Sequence, residues 1–290
     1  MRFAERLHAA IISKGTPLCV GIDPARERMA PVLLAASGDD PYTMLTLFGR
    51  TVLDAVAPLV PIIKPQIAYF ERYGLEGLRA LETVLQYARD KGLLIVLDAK
   101  RGDIGETSAA YAKAYLAADG PYGPLVDCLT VNPYMGPDAI EPFADAALKS
   151  GKGLFVLVRT SNPGAAHLQN LIADGKPIYA HVAAMVDGFA QRQSGLAGYS
   201  DIGAVVGATL GSEARELRAL LPRSIFLVPG VGAQGGSMDI VRDCFDANGM
   251  GAIVSSSRAI TYPRGNHATL DELSEAIRQA ALNTIKEIKI

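Results

Sequence analysis

The chain has 290 residues, 49% hydrophobic and 20% charged, which are the proportions of a soluble globular protein with a large core. Its formal net charge of −2 excludes a global attraction to nucleic acid or to an anionic membrane, so a phosphate ligand would have to be held by local charge. No run approaches the ~18 consecutive apolar residues that a membrane span needs.

The N-terminal stretch MRFAERLHAAIISKG carries charges through its apolar positions and predicts an amphipathic helix, not a signal peptide. PLCVGID (17–23) is the first β-rich run, followed by a helix over 41–58 with Leu45, Phe48, Val52 and Val56 on one face. LVPIIKPQ (59–66) is the second run, and the helix over 74–91 aligns Leu75, Leu78, Leu81 and Leu85. LLIVLDAK (93–100), CLTVNPY (128–134) and LFVLVRT (154–160) continue the series. The segment from Ser161 to Asp201 is the longest gap between strands, with room for an extra loop before a helix over 178–193 striped by Ile178, Val182, Met185 and Phe189. IGAVVGAT (202–209), IFLVPGVG (225–232) and AIVSSSRAI (252–260) complete eight runs. The last helix opens on a capping box, Thr269 to Glu272, and should bury Leu273, Ile277 and Ala281.

Most of the runs are continuously apolar, which suits parallel strands covered by helices. Strand and helix alternating eight times in under 300 residues predict one closed (β/α)8 TIM barrel, filling 1–290 as a single domain. Cys19, Cys128 and Cys244 lie far apart in sequence and are expected to be reduced core residues, pointing to the cytoplasm.

In such barrels the active site forms at the C-terminal ends of the strands. Those ends carry Asp23, Lys64, Asp98 with Lys100 and then Asp103, Arg159-Thr-Ser161, and Arg258. Ionisable groups on apolar strands are costly unless paired or functional. Asp98 and Lys100, two apart, should face one side of their strand, within reach of Lys64 on the neighbouring strand. That predicts alternating ammonium and carboxylate groups in one pocket; a purely structural ion-pair network closing the barrel end is the competing explanation. At strands 7 and 8, Pro229-Gly-Val-Gly-Ala-Gln-Gly-Gly236 can present backbone N–H groups to an anion, and Arg258 adds a forked cation. This is the usual phosphate site of the fold, and a ligand-free glycine turn is the plainer alternative. The run matches GxGxxG by letter, but on the seventh strand and with no acidic residue following at the required distance, so a dinucleotide site is not expected. The four histidines, His8, His167, His181 and His267, fall away from strand ends, and CxxC, HExxH and GxSxG are absent.

Asp98-Ala-Lys-Arg-Gly-Asp-Ile-Gly105 resembles the DxKxxD signature of the orotidine 5′-phosphate decarboxylase family. GIDP (21–24), IKPQ (63–66), TVNPYMG (130–136), RTSNPG (159–164), PGVGAQGG (229–236) and SSSRAI (255–260) resemble the longer bacterial branch of that family, in order from strand 1 to strand 8. The resemblance implies cofactor-free and metal-free decarboxylation of orotidine 5′-phosphate to UMP, the last step of de novo UMP biosynthesis. It implies that Lys64, Asp98, Lys100 and Asp103 are the catalytic charges, with Lys100 the proton donor. It also implies a homodimer in which Asp103 and Thr107 enter the partner's pocket. Asp23 resembles the aspartate that holds ribose hydroxyls, Ser161 the serine that reads the pyrimidine amide, and Gln234 and Arg258 the phosphate clamp, with Pro229 joining the substrate-binding set. Asn132 and Tyr134 receive no role. Three other activities compete. A metal-dependent sugar-phosphate decarboxylase or aldolase of the same superfamily would carry an acidic ligand on strand 2, where this chain has Lys64. A lysine Schiff-base aldolase would be trapped by borohydride. A non-catalytic phosphate-binding barrel would not need all four charges.

Overall fold

The computed structural model describes residues 1–192, 198–208, 211–230 and 241–288. Among them, β1 (Leu18–Ile22), β2 (Ile62–Pro65), β3 (Leu94–Arg101), β4 (Cys128–Val131), β5 (Gly153–Arg159), β6 (Ser200–Val206), β7 (Ser224–Pro229) and β8 (Ala252–Ser256) pair in parallel, each with the next, and β8 returns to β1. The closure is direct, with Leu18 opposite Val254 and Val20 opposite Ser256. Helices lie between the strands, so the predicted (β/α)8 barrel is the observed one.

The continuous apolar runs resolve into two alternating sets, as a period of two requires. Cys19, Ile62, Leu94, Val96, Cys128, Phe155, Leu227 and Ile253 fill the barrel interior. Their neighbours Leu18, Val20, Ile63, Ile95, Leu97, Leu129, Leu154 and Val254 pack outward against the helices. The N-terminal helix Phe3–Lys14 closes the bottom by inserting Phe3 and Leu7 into the interior set. The Phe3 ring meets Phe155 edge-on at 6.2 Å between centroids, an arrangement favoured by the ring quadrupoles. This needs Gly153 at the start of β5, because a Cβ there would lie 2.3 Å from Phe3 Cδ1. Asp201 fixes the same helix, accepting from Ala4 N at 2.9 Å and from Arg2 Nε at 2.6 Å.

Strand ends depart from expectation mainly at the top of the barrel. The run 128–134 is strand only to Val131, and 252–260 only to Ser256, after which Arg258–Thr261 is helical. The helix Pro41–Val56 buries Leu45, Phe48, Val52 and Val56 as predicted, and Leu270–Glu287 buries Leu273, Ile277 and Ala281 behind the Thr269 cap. The helix Gly74–Asp90 is rotated from the predicted stripe: it buries Gly77, Ala80, Leu81, Val84, Leu85 and Ala88, and Leu75 is exposed. Small residues set that face because helix Pro41–Val56 approaches closely, with Val84 against Gly49. In Ile178–Ala190 the core side is Tyr179, Ala180, Ala183, Val186, Phe189 and Ala190, while Ile178 and Val182 wall a cavity at the top of the barrel. The long gap before this helix, where an extra loop was expected, holds a short helix Ala165–Gln169 and an antiparallel pair, Ile172–Ala173 with Lys176–Pro177. All three cysteines are buried thiols, none in a disulfide.

Candidate active site

The interior parity of each strand decides which side chains reach the top of the barrel. On β2 it passes from Ile62 to Lys64, on β3 from Leu94 and Val96 to Asp98, and on β4 from Cys128 to Thr130. Lys64 and Asp98 are buried, 7% and 6% exposed, whereas the Lys100 side chain is 45% exposed and faces the cavity. Lys64 Nζ lies 2.8 Å from Asp98 Oδ2, and Lys100 Nζ lies 2.5 Å from Asp98 Oδ1. One carboxylate is therefore clamped between two ammonium groups.

Burial alone would raise the Asp98 pKa, but the charges of Lys64 and Lys100 and their hydrogen bonds outweigh it and hold Asp98 well below the usual carboxylate range. Burial likewise disfavours the Lys64 charge, and Asp98, then Asp23, outweigh it and hold the ammonium above its ordinary range. Because the folded Asp98 value is depressed, the pairing stabilises fully above the unfolded value of about 3.9. It is lost only as pH falls through the lower folded value. Beneath the array, burial pushes the Cys19 thiol up to about 12, so it stays neutral and is no thiolate nucleophile.

Lys100 sits where β3 leaves the ladder: the register with β4 shifts between Leu97 and Arg101, and Lys100 has φ +47°. A left-handed lysine costs about 1–3 kcal/mol and persists only where its surroundings over-determine it. Thr130 supplies part of that, its Oγ1 accepting from Ala99 N at 3.0 Å and Lys100 N at 2.9 Å, and donating to Asp98 Oδ1 at 2.9 Å. Sequence reasoning passed over Thr130, although its parity with Cys128 would have turned it inward.

The array forms one end of a cavity of about 730 Å³, within the size range of small-molecule sites. Ser161 and Pro229 line it, as do Asn132 and Tyr134. Leu157, Val158, Ile178, Val182, Val205 and Leu227 supply an apolar wall, and Thr160, Asn162 and Gln169 add polar groups. Gln169, from the inserted segment, accepts from Thr160 N at 3.0 Å and donates to Thr160 Oγ1 at 2.8 Å, tying the insert to the end of β5. Arg159 turns away from the cavity and pairs with Glu213 at 3.0 Å.

Asp23 ends β1 beside the array. One carboxylate oxygen accepts from Ser257 Oγ at 2.7 Å; the other is buried with no hydrogen-bond partner among the described residues, so it has the capacity to accept a further hydrogen bond. Gly21 permits this approach of β8, since a Cβ there would lie 2.6 Å from Ser257 Cβ. Tyr262 pins the turn, donating to the Asp23 carbonyl and accepting from Ala25 N at 2.7 Å.

Asp103 does not join the array of its own chain. Its Oδ1 accepts from Ile104 N at 2.8 Å, and it forms no ion pair with a described residue. Thr107 is exposed in the first turn of helix Gly105–Leu116, and Arg258 is exposed at the start of helix Arg258–Thr261. Gln234 lies outside the described residues. Among those residues no group of three or more His, Cys, Asp or Glu side chains could hold a metal ion, and no helix is long and apolar enough to cross a membrane.

Residues 16–273 match the model of the orotidine 5′-phosphate decarboxylase / HUMPS family. A protein of Rhodopirellula baltica named orotidine 5′-phosphate decarboxylase is 43% identical over 302 residues, covering 100% of this chain and 99% of its own length. A protein of Clostridium perfringens with the same name is 39% identical, covering 99% of this chain and 98% of its own. The solved structure of Leishmania donovani OMP decarboxylase superposes with a TM-score of 0.75 at 30% identity, covering 99% of this chain and 97% of that one. With a barrel whose second and third strands end in Lys64, Asp98 and Lys100, and with relatives matched over their whole length, this chain belongs to the orotidine 5′-phosphate decarboxylase family.

Proposed function

We propose that the chain, acting as one (β/α)8 domain, decarboxylates orotidine 5′-phosphate to UMP without metal or cofactor. The observation that carries this reading is the Lys64–Asp98–Lys100 clamp, buried at Lys64 and Asp98 and opening onto the cavity at Lys100. With the pyrimidine in that cavity, its carboxylate lies against ionised Asp98 and is destabilised there. The C6–carboxyl bond breaks, carbon dioxide leaves, and the electron pair stays on C6, where no conjugated sink takes it up. The Lys100 ammonium stabilises that charge and transfers a proton from Nζ to C6. Charges held in place before the reaction need no reorganisation, which makes such electrostatic stabilisation usually the largest catalytic contribution. Lys64 holds Asp98, and Asp103 from the partner of a homodimer completes the set, with Thr107 beside it. The open oxygen of Asp23 suits a ribose hydroxyl. Ser161 suits the pyrimidine amide, and Pro229, Gln234 and Arg258 the phosphate side. Buried cysteines in no disulfide suit the cytoplasm.

Lys64 also separates this reaction from the metal-dependent chemistry of the same superfamily. Its ammonium occupies Asp98 Oδ2, where a divalent cation would have to displace it against like charge. The test is a spectrophotometric assay with orotidine 5′-phosphate in excess EDTA. Undiminished turnover is expected; loss in EDTA with recovery in Mg²⁺ would transfer the chain to the metal-dependent class.

The phosphate is remote from the bond that breaks, so its binding energy can drive ordering around the substrate. Arg258→Ala is expected to lower kcat/KM on orotidine 5′-phosphate about 10- to 100-fold, the ~1.5–3 kcal/mol of a hydrogen bond to a charged group. Gln234→Ala should cost less, having no charge. On orotidine, which lacks the phosphate, the Arg258 variant should lose little beyond the already low native rate. Equal losses on both substrates would remove Arg258 from the phosphate site.

A further inference from the structure

We propose that Thr130 is a positioning residue, whose hydroxyl sets both the backbone of Lys100 and the ionised form of Asp98. This rests on the decarboxylase reading above.

Among the described residues Thr130 Oγ1 has three hydrogen-bond partners: Ala99 N at 3.0 Å, Lys100 N at 2.9 Å and Asp98 Oδ1 at 2.9 Å. A hydroxyl offers two lone pairs and one proton. The two amides can only donate, so they take both lone pairs. The single proton must then go to Asp98 Oδ1, and that oxygen must accept. The site therefore has no place for a proton on Oδ1, and the hydrogen bond favours the carboxylate. Thr130 is 1% exposed, so in the intact protein water does not compete for these contacts.

The same hydroxyl supports the irregular stretch of β3. The register shift between Leu97 and Arg101 takes the Ala99 and Lys100 amides off the regular ladder, and Thr130 receives both. That is where the chain enters the left-handed turn at Lys100 that aims its ammonium at Asp98. One side chain thus fixes the donor by its backbone and the carboxylate by its oxygen. Since a displacement of ~1 Å at a reacting group can cost about 10²-fold, loss of this hydroxyl should appear in turnover more than in binding.

The test compares Thr130→Val, which keeps the β-branched shape and removes the hydroxyl, with Thr130→Ser, which keeps the hydroxyl. The valine variant should lose about 10- to 100-fold in kcat with KM and UMP affinity changed by no more than about threefold. Serine should restore kcat to within about threefold of native. Thr130→Ala, which adds no bulk, gives the same reading if the valine variant fails to fold. A native kcat in the hydroxyl-free variants overturns the proposal. So does a serine variant as impaired as the valine one, or a loss confined to KM. A native protein inactive on orotidine 5′-phosphate would instead refute the decarboxylase reading itself.

Discussion

Lys100→Ala is expected to reduce kcat by about 10⁴-fold or more while leaving the melting temperature within a few degrees of native. The kinetic loss combines a proton donor, typically worth ~10²–10⁴-fold, with a charge aimed at the developing carbanion. The small effect on stability follows from how Lys100 is held. Its side chain is 45% exposed, so its pairing with Asp98 is partly screened. Its removal leaves Asp98 paired with Lys64 and accepting from Thr130, with no uncompensated buried charge. Lys64 provides the contrast. It is buried, and Lys64→Ala would strip the shielded oxygen of Asp98 of the one ammonium partner it has among the described residues, so fold and activity should suffer together. Circular dichroism melting and steady-state kinetics on the two variants distinguish catalytic from structural charge. If Lys100→Ala melted as low as Lys64→Ala, or kept more than about 1% of native kcat, the array would be a structural network closing the barrel.

The barrel and the three clamped charges were legible because both depend on short-range regularities. Apolar runs of strand length mark buried parallel strands, and an aspartate and a lysine two residues apart share a face. The strand ends were not legible. CLTVNPY and AIVSSSRAI keep their β-prone character into segments that turn away at Asn132 and Ser257, because the loops that build the site begin there. The left-handed Lys100 left no trace in the sequence, since lysine carries no bias towards positive φ and the bulge depends on the register with β4. Thr130 escaped for a related reason: threonine is ordinary in a strand, and only the register places its hydroxyl under the Ala99 and Lys100 amides. In helix Ile178–Ala190 the apolar stripe was real, but two of its members, Ile178 and Val182, serve the cavity wall. Periodicity does not distinguish an apolar face that meets the core from one that meets a ligand. Arg159 illustrates the converse: a cation at the end of a strand pointed to the pocket, yet the side chain turns outward to Glu213.

Mixing inactive Asp103→Ala protein with inactive Lys100→Ala protein, under conditions where subunits exchange, should restore activity to about a quarter of native. The expectation begins with the turn after β3. Ser108 is buried, and its hydroxyl bonds to both the N–H and the carbonyl of Asp103, which fixes the backbone there. The Asp103 carboxylate accepts from Ile104 N, outside the Lys64–Asp98–Lys100 clamp. Gly102 brings this turn against the loop after β4, where a Cβ would lie 2.8 Å from the Asn132 carbonyl oxygen. The two adjoining loops expose large apolar side chains, Ile104 at 61% and Tyr134 at 77%, with Met135 next to them. Apolar groups so exposed beside a half-buried carboxylate suit a two-fold mate that covers them and receives Asp103 into its own cavity. In a mixed dimer, one site then takes Lys100→Ala from its own chain and Asp103→Ala from the partner, and the other site takes neither. Random pairing makes about half the dimers mixed, each with one intact site of two, hence about a quarter of native activity. If Asp103 served its own chain, every site would carry one lesion and the mixture would stay inactive. Subunit exchange, followed by native mass spectrometry on chains of distinguishable mass, makes that negative result decisive.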